Sequence, residues 1–297
     1  MRSGYTDPAT IRFFSVALAL LVTAAIAQAK PVHSRAVHHA RAGSRHVSAG
    51  SKHVSAGSKH VSPAPTHASQ PPKPVRPPRA SLPPYLQFPA DIEATAAYRY
   101  AQLPRAACEA ELQQRKIRSK PQVALGVLAP RRLIGPLNDV FFRGEGTDED
   151  REKSVHEIAD CRLILAMFDM AVILKRHDIV EVRHFSMYRL PPPSWPRSRV
   201  ADRHLGALAL DAGRFIKRDG SILDVDQHFH GAIGAKTCGD GAAPRPATPQ
   251  AIELRAVLCE IVEQRLFHVV LTPNYNEPHK NHFHLEVTAG KRWLLIH

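Results

Sequence analysis

A strong apolar helix pattern in the middle of the chain, followed by several short strand patterns, predicts an α+β domain: a small antiparallel sheet flanked by helices. Residues 156–175 form the clearest helix. Ile158, Cys161, Leu163, Leu165, Phe168, Met170 and Leu174 recur at helical spacing and make a wide apolar face suited to a core. Residues 207–211, 267–271 and 282–287 are short, apolar-rich and bounded by Gly, Pro, Asn and Asp, as strands are. The first third of the 297-residue chain shows no such periodicity, so one folded domain is expected over residues 85–297.

Residues 1–29 resemble a secretory signal peptide. Arg2 and Arg12 precede an apolar run, residues 13–26, and Ala27-Gln28-Ala29 offers a small-x-small cleavage site. An uncleaved anchor helix is the alternative, but the run is short for the ~20 residues of a membrane span. No other long apolar segment follows, so no transmembrane segment is expected after cleavage.

Residues 30–84 are predicted to be a basic, solvated linker. From Lys30 to Arg79 there are nine Lys/Arg, seven His and no acidic residue, which supplies nine of the thirteen formal positive charges. A heptapeptide recurs around His46, His53 and His60, and prolines crowd residues 63–84. Such a stretch buries too little apolar surface to fold. Its charge suits an anionic cell-envelope polymer or lipid head groups, or it serves only as a spacer. Export argues against nucleic acid as the partner.

Within the domain, residues 91–112 are predicted helical, with Pro104 breaking the run. Residues 122–129 alternate like a strand, and residues 144–153 look like a charged loop. A strand at 179–188 is ended by Pro191, Pro192, Pro193 and Pro196, and Asp219-Gly220 marks a turn. Residues 249–265 are a second apolar helix. Strands at 267–271 and 282–287 flank a loop containing Pro273, Asn274, Asn276 and Pro278. The four cysteines fit disulfides in an exported chain. Sequence proximity favours Cys108–Cys161 and Cys238–Cys259, with buried free thiols as the alternative.

Two motifs carry the chemistry. Strand side chains alternate, so His282, His284 and Glu286 point one way while Phe283, Leu285 and Val287 point to the core. Asp211 shares a face with Ala207 and Ala209, which leave space beside its carboxylate. His204, seven residues earlier, reaches Asp211 if the chain turns near Gly206. A His, an Asp and a His form a ligand set for a zinc ion with one open position. The bland alternatives are an Asp that merely ends a strand and a metal-free, disulfide-stapled domain in which the three residues are scattered. A second His-x-His, His228-Phe229-His230, looks like loop and is not separable by spacing alone.

From Cys108 to Val287 the chain resembles the extensin-like C-terminal domain family of bacterial exported proteins. That family is similar in turn to the superfamily of D-alanyl-D-alanine metallopeptidases, murein endopeptidases and hedgehog domains. The resemblance rests on Asp160-Cys161-Arg162-Leu163, Ser186-Met187-Tyr188-Arg189, the His204–Asp211 motif, the segment Leu271 to Asn276, and His279 to His284. It implies a hedgehog/DD-peptidase-like zinc site on the sheet, with His204, Asp211 and His284 as ligands. His282 would be the second catalytic histidine. Arg189, and less strongly Tyr188, would lie near the site, Arg189 to meet a substrate carboxylate or an oxyanion. Glu286 would orient His282 or act as a second base. Asp202, Asn281 and Glu286 stand where Ser, Asp and Asp are common in the superfamily. The implied activity is zinc-dependent amide hydrolysis on peptidoglycan peptides, in the periplasm or outside the cell; a non-catalytic wall-binding module is the alternative.

Overall fold

The computed structural model describes residues 83–297. The predicted signal segment, and all of the predicted linker but its last two residues, lie outside the described residues.

The chain enters through strand β1 (Leu86–Gln87). The helix expected at 91–112 is two helices, α1 (Ala96–Ala101) and α2 (Arg105–Gln114), separated at Pro104. The Thr95 hydroxyl caps α1 by accepting the Tyr98 N–H at 3.2 Å. Strand β2 (Ser119–Pro121) pairs antiparallel with β3 (Pro130–Leu133). The strand expected at 122–129 is instead the loop between them. Gly126 has φ +81° and its carbonyl accepts the Ala201 N–H at 2.7 Å, so the backbone bends; Val123 stays 99% exposed while Ala124 and Val127 pack on the small cluster of Ile158, Tyr188 and Ala207.

Strand β4 (Phe141–Gly144) leads into the segment expected to be a charged loop, most of which is helix α3 (Asp148–Lys153). Thr147 and Asp150 form a reciprocal capping box, and the acidic first turn complements the helix dipole. The main helix begins later than the apolar pattern suggested. Residues 158–160 form β5 (Ile158–Asp160), paired with β3, before α4 (Cys161–Arg176) starts. Asp160 determines that boundary: its carboxylate accepts the Arg162 N–H at 3.0 Å as helix cap and pairs with the Arg162 guanidinium at 2.7 Å, both side chains buried.

Strand β6 (Ile179–His184) stops four residues short of the expected end, freeing residues 185–189 to bend toward the site. Strand β7 (Ala209–Lys217) extends beyond the expected 207–211 and turns at Asp219-Gly220 into β8 (Ile222–Asp224). Short helix α5 (Val225–His228) follows, then α6 (Pro249–Glu263), capped by Thr248 with proline at its first position. Strands β9 (Val269–Leu271), β10 (Phe283–Glu286) and β11 (Leu294–Ile296) complete the chain.

The α+β class agrees with expectation, but the sheet is not small and not purely antiparallel. Eight strands run in the order β1-β11-β9-β10-β7-β6-β4, with β8 also on β7; β4–β6 and β9–β11 are parallel. A second sheet holds β2, β3 and β5. The unexpected edge strands have two to four residues, too few to show a period. Helix α4 packs on α1, α2, α6 and β6, and its Leu163, Ile164, Leu165, Met167 and Met170 are wholly buried. Both disulfides form as sequence proximity favoured. Cys108–Cys161 ties α2 to the start of α4, and Cys238–Cys259 ties a long loop to α6. Closing loops of 53 and 21 residues stabilises by about 4 and about 3 kcal/mol in the chain-entropy account.

Candidate metal centre

Strands β7 and β10 pair in the interior of the large sheet with His284 opposite Asp211 and Phe283 opposite Ala212. Directly opposed residues share a face. Asp211 and His284 therefore stand together on one face, while Ala212, Phe283 and Leu285 enter the core on the other.

His204 reaches this face from a 3-10 turn, Arg203–Gly206. The left-handed residues of the turn are Arg203 (φ 52°) and Ala207 (φ 53°), not the glycine. Gly206 is required for a different reason: a Cβ there would stand 2.1 Å from the Ala201 carbonyl oxygen. Backbone strain of this kind flanking one side chain is a local cost that packing must hold in place.

Three atoms converge. Asp211 Oδ1 lies 3.0 Å from His204 Nε2 and 3.0 Å from His284 Nδ1, and those two nitrogens are 3.3 Å apart. The outward nitrogens fix the tautomers. His284 Nε2 faces Glu286 Oε2 at 3.1 Å and His204 Nδ1 faces the Met187 carbonyl at 3.3 Å. Both partners only accept, so both outward nitrogens carry hydrogen. In the neutral rings the inward nitrogens then hold lone pairs, aimed at a carboxylate oxygen and at each other. Three converging acceptors are mutually repulsive unless a cation or an extra proton sits among them. Tetrahedral coordination with bonds of ~2.0–2.2 Å puts ligand atoms ~3.3–3.6 Å apart. The observed triangle is within a few tenths of an ångström of that, so the donor set is able to hold a small divalent metal.

Burial alone would raise the Asp211 carboxyl; the imidazoles of His204, His282 and His284 around it favour the carboxylate and hold it far below the usual range. Burial pushes His204 down, whereas Asp211 and Glu286 overcome burial at His284 and raise it. Glu286 is itself held low, against burial, by His284 and Thr288.

The structure places the remaining expected residues as follows. Arg189 lies behind the cluster: Nη2 donates to Asp211 Oδ2 at 2.6 Å and Nε to Ser186 Oγ at 3.1 Å, while its side chain stays 54% exposed. Ser186 donates to the same carboxylate oxygen at 3.1 Å. Glu286 meets His284 rather than His282, and Thr288 Oγ1 donates to its other oxygen at 2.5 Å. His282 donates from Nδ1 to Asn281 Oδ1 at 2.8 Å, which leaves Nε2 unprotonated, 3.4 Å from Asp211 Oδ1. Tyr188 points away, its hydroxyl donating to the Leu125 carbonyl at 3.0 Å. Asp202 precedes the His204 turn without a side-chain cap bond.

His279 was not singled out on its own in the sequence. Its ring lies 5.3 Å from His282 and 5.7 Å from His284, and Nδ1 donates to Asn276 Oδ1 at 2.5 Å. Burial, aided by the neighbouring histidines, lowers its pKa to about 4. The spacing of His279, His282 and His284 was its only available signal. A cavity of about 600 Å³ lined by Thr95, Arg99, Asp169, Arg176 and Arg265 contains none of the expected site residues.

The fold and site thus define a mixed α+β domain with a buried His/Asp/His cluster on the pairing of two interior strands. Residues 165–295 match the family model described as "Extensin-like protein C-terminus". The matched segment spans most of α4 through β11 and holds all three cluster residues, but Asp160-Cys161-Arg162-Leu163 and the Cys108 segment precede it. No curated protein and no solved structure matches the chain.

Proposed function

We propose that His204, Asp211 and His284 hold a zinc ion and that the chain is an exported peptidase that hydrolyses amide bonds in peptidoglycan peptides. The observation that carries this reading is the convergence of three atoms able to ligate a metal, with the outer atoms of all three side chains committed elsewhere. Outward hydrogen bonds that fix tautomer and ring angle are the usual companions of metal-bound histidine. A bound zinc would supply a water with a pKa near ~7 and polarise the scissile carbonyl.

The chain's own residues supply the rest. Arg189 and Ser186 hold Asp211 Oδ2 and so direct Oδ1 inward. Glu286 holds His284 by its outward N–H. His282 Nε2, beside the cluster with its other nitrogen bonded to Asn281, would accept the proton of the attacking water and return it to the leaving amine. Arg189 has N–H groups left over at an exposed position, able to meet a substrate carboxylate or a developing oxyanion. Two disulfides fit an oxidising compartment, the periplasm or beyond, and no helix among the described residues is long and apolar enough to cross a membrane. The positive charge of residues 30–84 would suit the anionic envelope.

One observation favours a second reading, a wall-binding module of the same fold without turnover. His204, His282 and His284 are each no more than 8% exposed, so the opening over the cluster is narrow. Incubation of the oxidised full chain with purified peptidoglycan, with added zinc or with a chelator, separates the two. Chelator-sensitive release of peptide fragments, read by mass spectrometry and lost in His284→Ala, is the expected outcome. Zinc binding without release would move the assignment to the binding module; unchanged metal content and release in His284→Ala would overturn the site.

A further inference from the structure

Two positions beyond Asp211, β7 carries Gly213. The register sets His284 opposite Asp211 and Phe283 opposite Ala212, with His282 just before that pairing; against β6 the strand shifts register at Gly213, between Ala212 opposite His184 and Arg214 opposite Arg183. His282 stands beside the cluster, its Nε2 3.4 Å from Asp211 Oδ1. Phe185, the first residue after β6, lies over that glycine. A Cβ at Gly213 would stand 2.8 Å from the ring's Cζ and 3.2 Å from Cε1 and Cε2. Gly213 does not have positive φ, so the glycine is there for space and not for a turn. The ring meets His282 edge-on, centroids 5.7 Å apart at 82°, and its backbone N–H donates to the Asp211 carbonyl at 2.9 Å.

Phe185 is nevertheless 37% exposed. One part of the ring is seated over bare backbone, another meets His282, and the remainder faces solvent beside the cluster, a position none of the hydrogen bonds at the site uses. We propose, resting on the peptidase reading above, that Phe185 on Gly213 is a specificity-determining subsite that takes an apolar side chain of the peptide, on the residue next to the bond presented to the cluster. The ring offers no hydrogen-bond partner there, so a polar side chain in the same place would lose water and gain nothing.

Calorimetric titration of the full chain with N-acetyl-Leu-Ala and N-acetyl-Asn-Ala tests this, since Leu and Asn are close in size and shape and differ in polarity. The titrations are run with and without zinc, beside a separate measurement of zinc affinity. The wild type is expected to bind the Leu peptide about tenfold more tightly. Phe185→Ala should erase the preference and Phe185→Leu should keep most of it, with zinc affinity unchanged in both. In Gly213→Ala, the added Cβ should displace the ring and reduce the preference. Equal affinities in the wild type, a preference that survives Phe185→Ala, or no binding of either peptide would overturn the subsite. Failure to bind zinc with the Leu preference intact would overturn the zinc reading and leave the subsite standing.

Discussion

The chain contains the tripeptide His-Phe-His twice, and the two copies have opposite fates. In His282-Phe283-His284 the strand alternation sends both imidazoles to one face beside Asp211 and the phenyl ring to the core. In His228-Phe229-His230 helix α5 ends at the first histidine and the last lies at φ 49°, so no shared face exists. The proton positions differ too. His284 donates outward to Glu286 and keeps a lone pair inward. His228 Nδ1 accepts the Asp224 N–H at 3.0 Å, so in the neutral ring the other nitrogen carries the hydrogen and offers no lone pair. The phenyl rings, by contrast, share a fate: Phe229 and Phe283 are both fully buried and meet edge to face, centroids 5.3 Å apart. Which way each imidazole faces, and where its lone pair points, are thus set by backbone geometry and by the partner of the outer nitrogen, not by the tripeptide.

The widest separation between the copies should appear in metal affinity. His284→Ala should lower zinc binding below detection in equilibrium dialysis, whereas His228→Ala and His230→Ala should leave it within about twofold, as expected for side chains outside any donor set. A loss in His228→Ala equal to that in His284→Ala would break the comparison. The phenyl rings should behave alike. Phe283→Ala and Phe229→Ala should each cost about 3–5 kcal/mol in urea unfolding, from lost burial plus the cavity left behind. Because the rings touch, the double variant should cost less than the sum by about 0.5–3 kcal/mol.

The same contrast shows what was legible in the sequence. The face shared by His282, His284 and Glu286 follows from strand alternation, and Asp211 at a strand gave the second wall. His204 was reachable only through a turn, and the turn is made by Arg203 and Ala207, whose left-handed backbone no propensity announces. Arg189 and Glu286 were recognisable as polar residues near the site, but not their partners. Which carboxylate Arg189 meets depends on β6 ending at His184, and which histidine Glu286 meets depends on a rotamer. Strands β1, β4 and β11 were invisible because pairing with distant segments, rather than local pattern, holds them. The capping box of α3 was legible in Thr147 and Asp150 but was outweighed by the density of charge around it.

A histidine outside both copies sharpens the comparison by pH. His268 is fully buried on the backbone beside β10, where its Nδ1 accepts the Thr288 N–H at 3.1 Å. Burial lowers its pKa to about 4, only partly opposed by the Glu286 charge. An unfolded histidine titrates near ~6.5. The unfolded chain therefore takes up a proton that the folded chain refuses as pH falls from about 6.5 to about 4, and stability is lost across that window, not above it. The full loss is about 3 kcal/mol. His268→Asn, which retains an acceptor for Thr288, should flatten the fall in unfolding free energy between pH 7 and pH 4.5 by most of that amount. An unchanged pH slope in the variant would remove His268 from this role.

The smallest effect isolates the outer partner that distinguishes His284 from His228. Glu286→Gln keeps the length of the side chain and an oxygen able to accept the His284 N–H, but removes the charge that makes the imidazole a better donor to metal. Zinc affinity should fall about 10–100-fold without the complete loss seen in His284→Ala. Thr288 Oγ1 and the Arg203 guanidinium, 3.7 Å from Glu286, would still hold the new side chain in place. An affinity equal to wild type would mean that ring orientation alone, and not the carboxylate, makes His284 a ligand. The contrast with His228 would then reduce to strand against helix end.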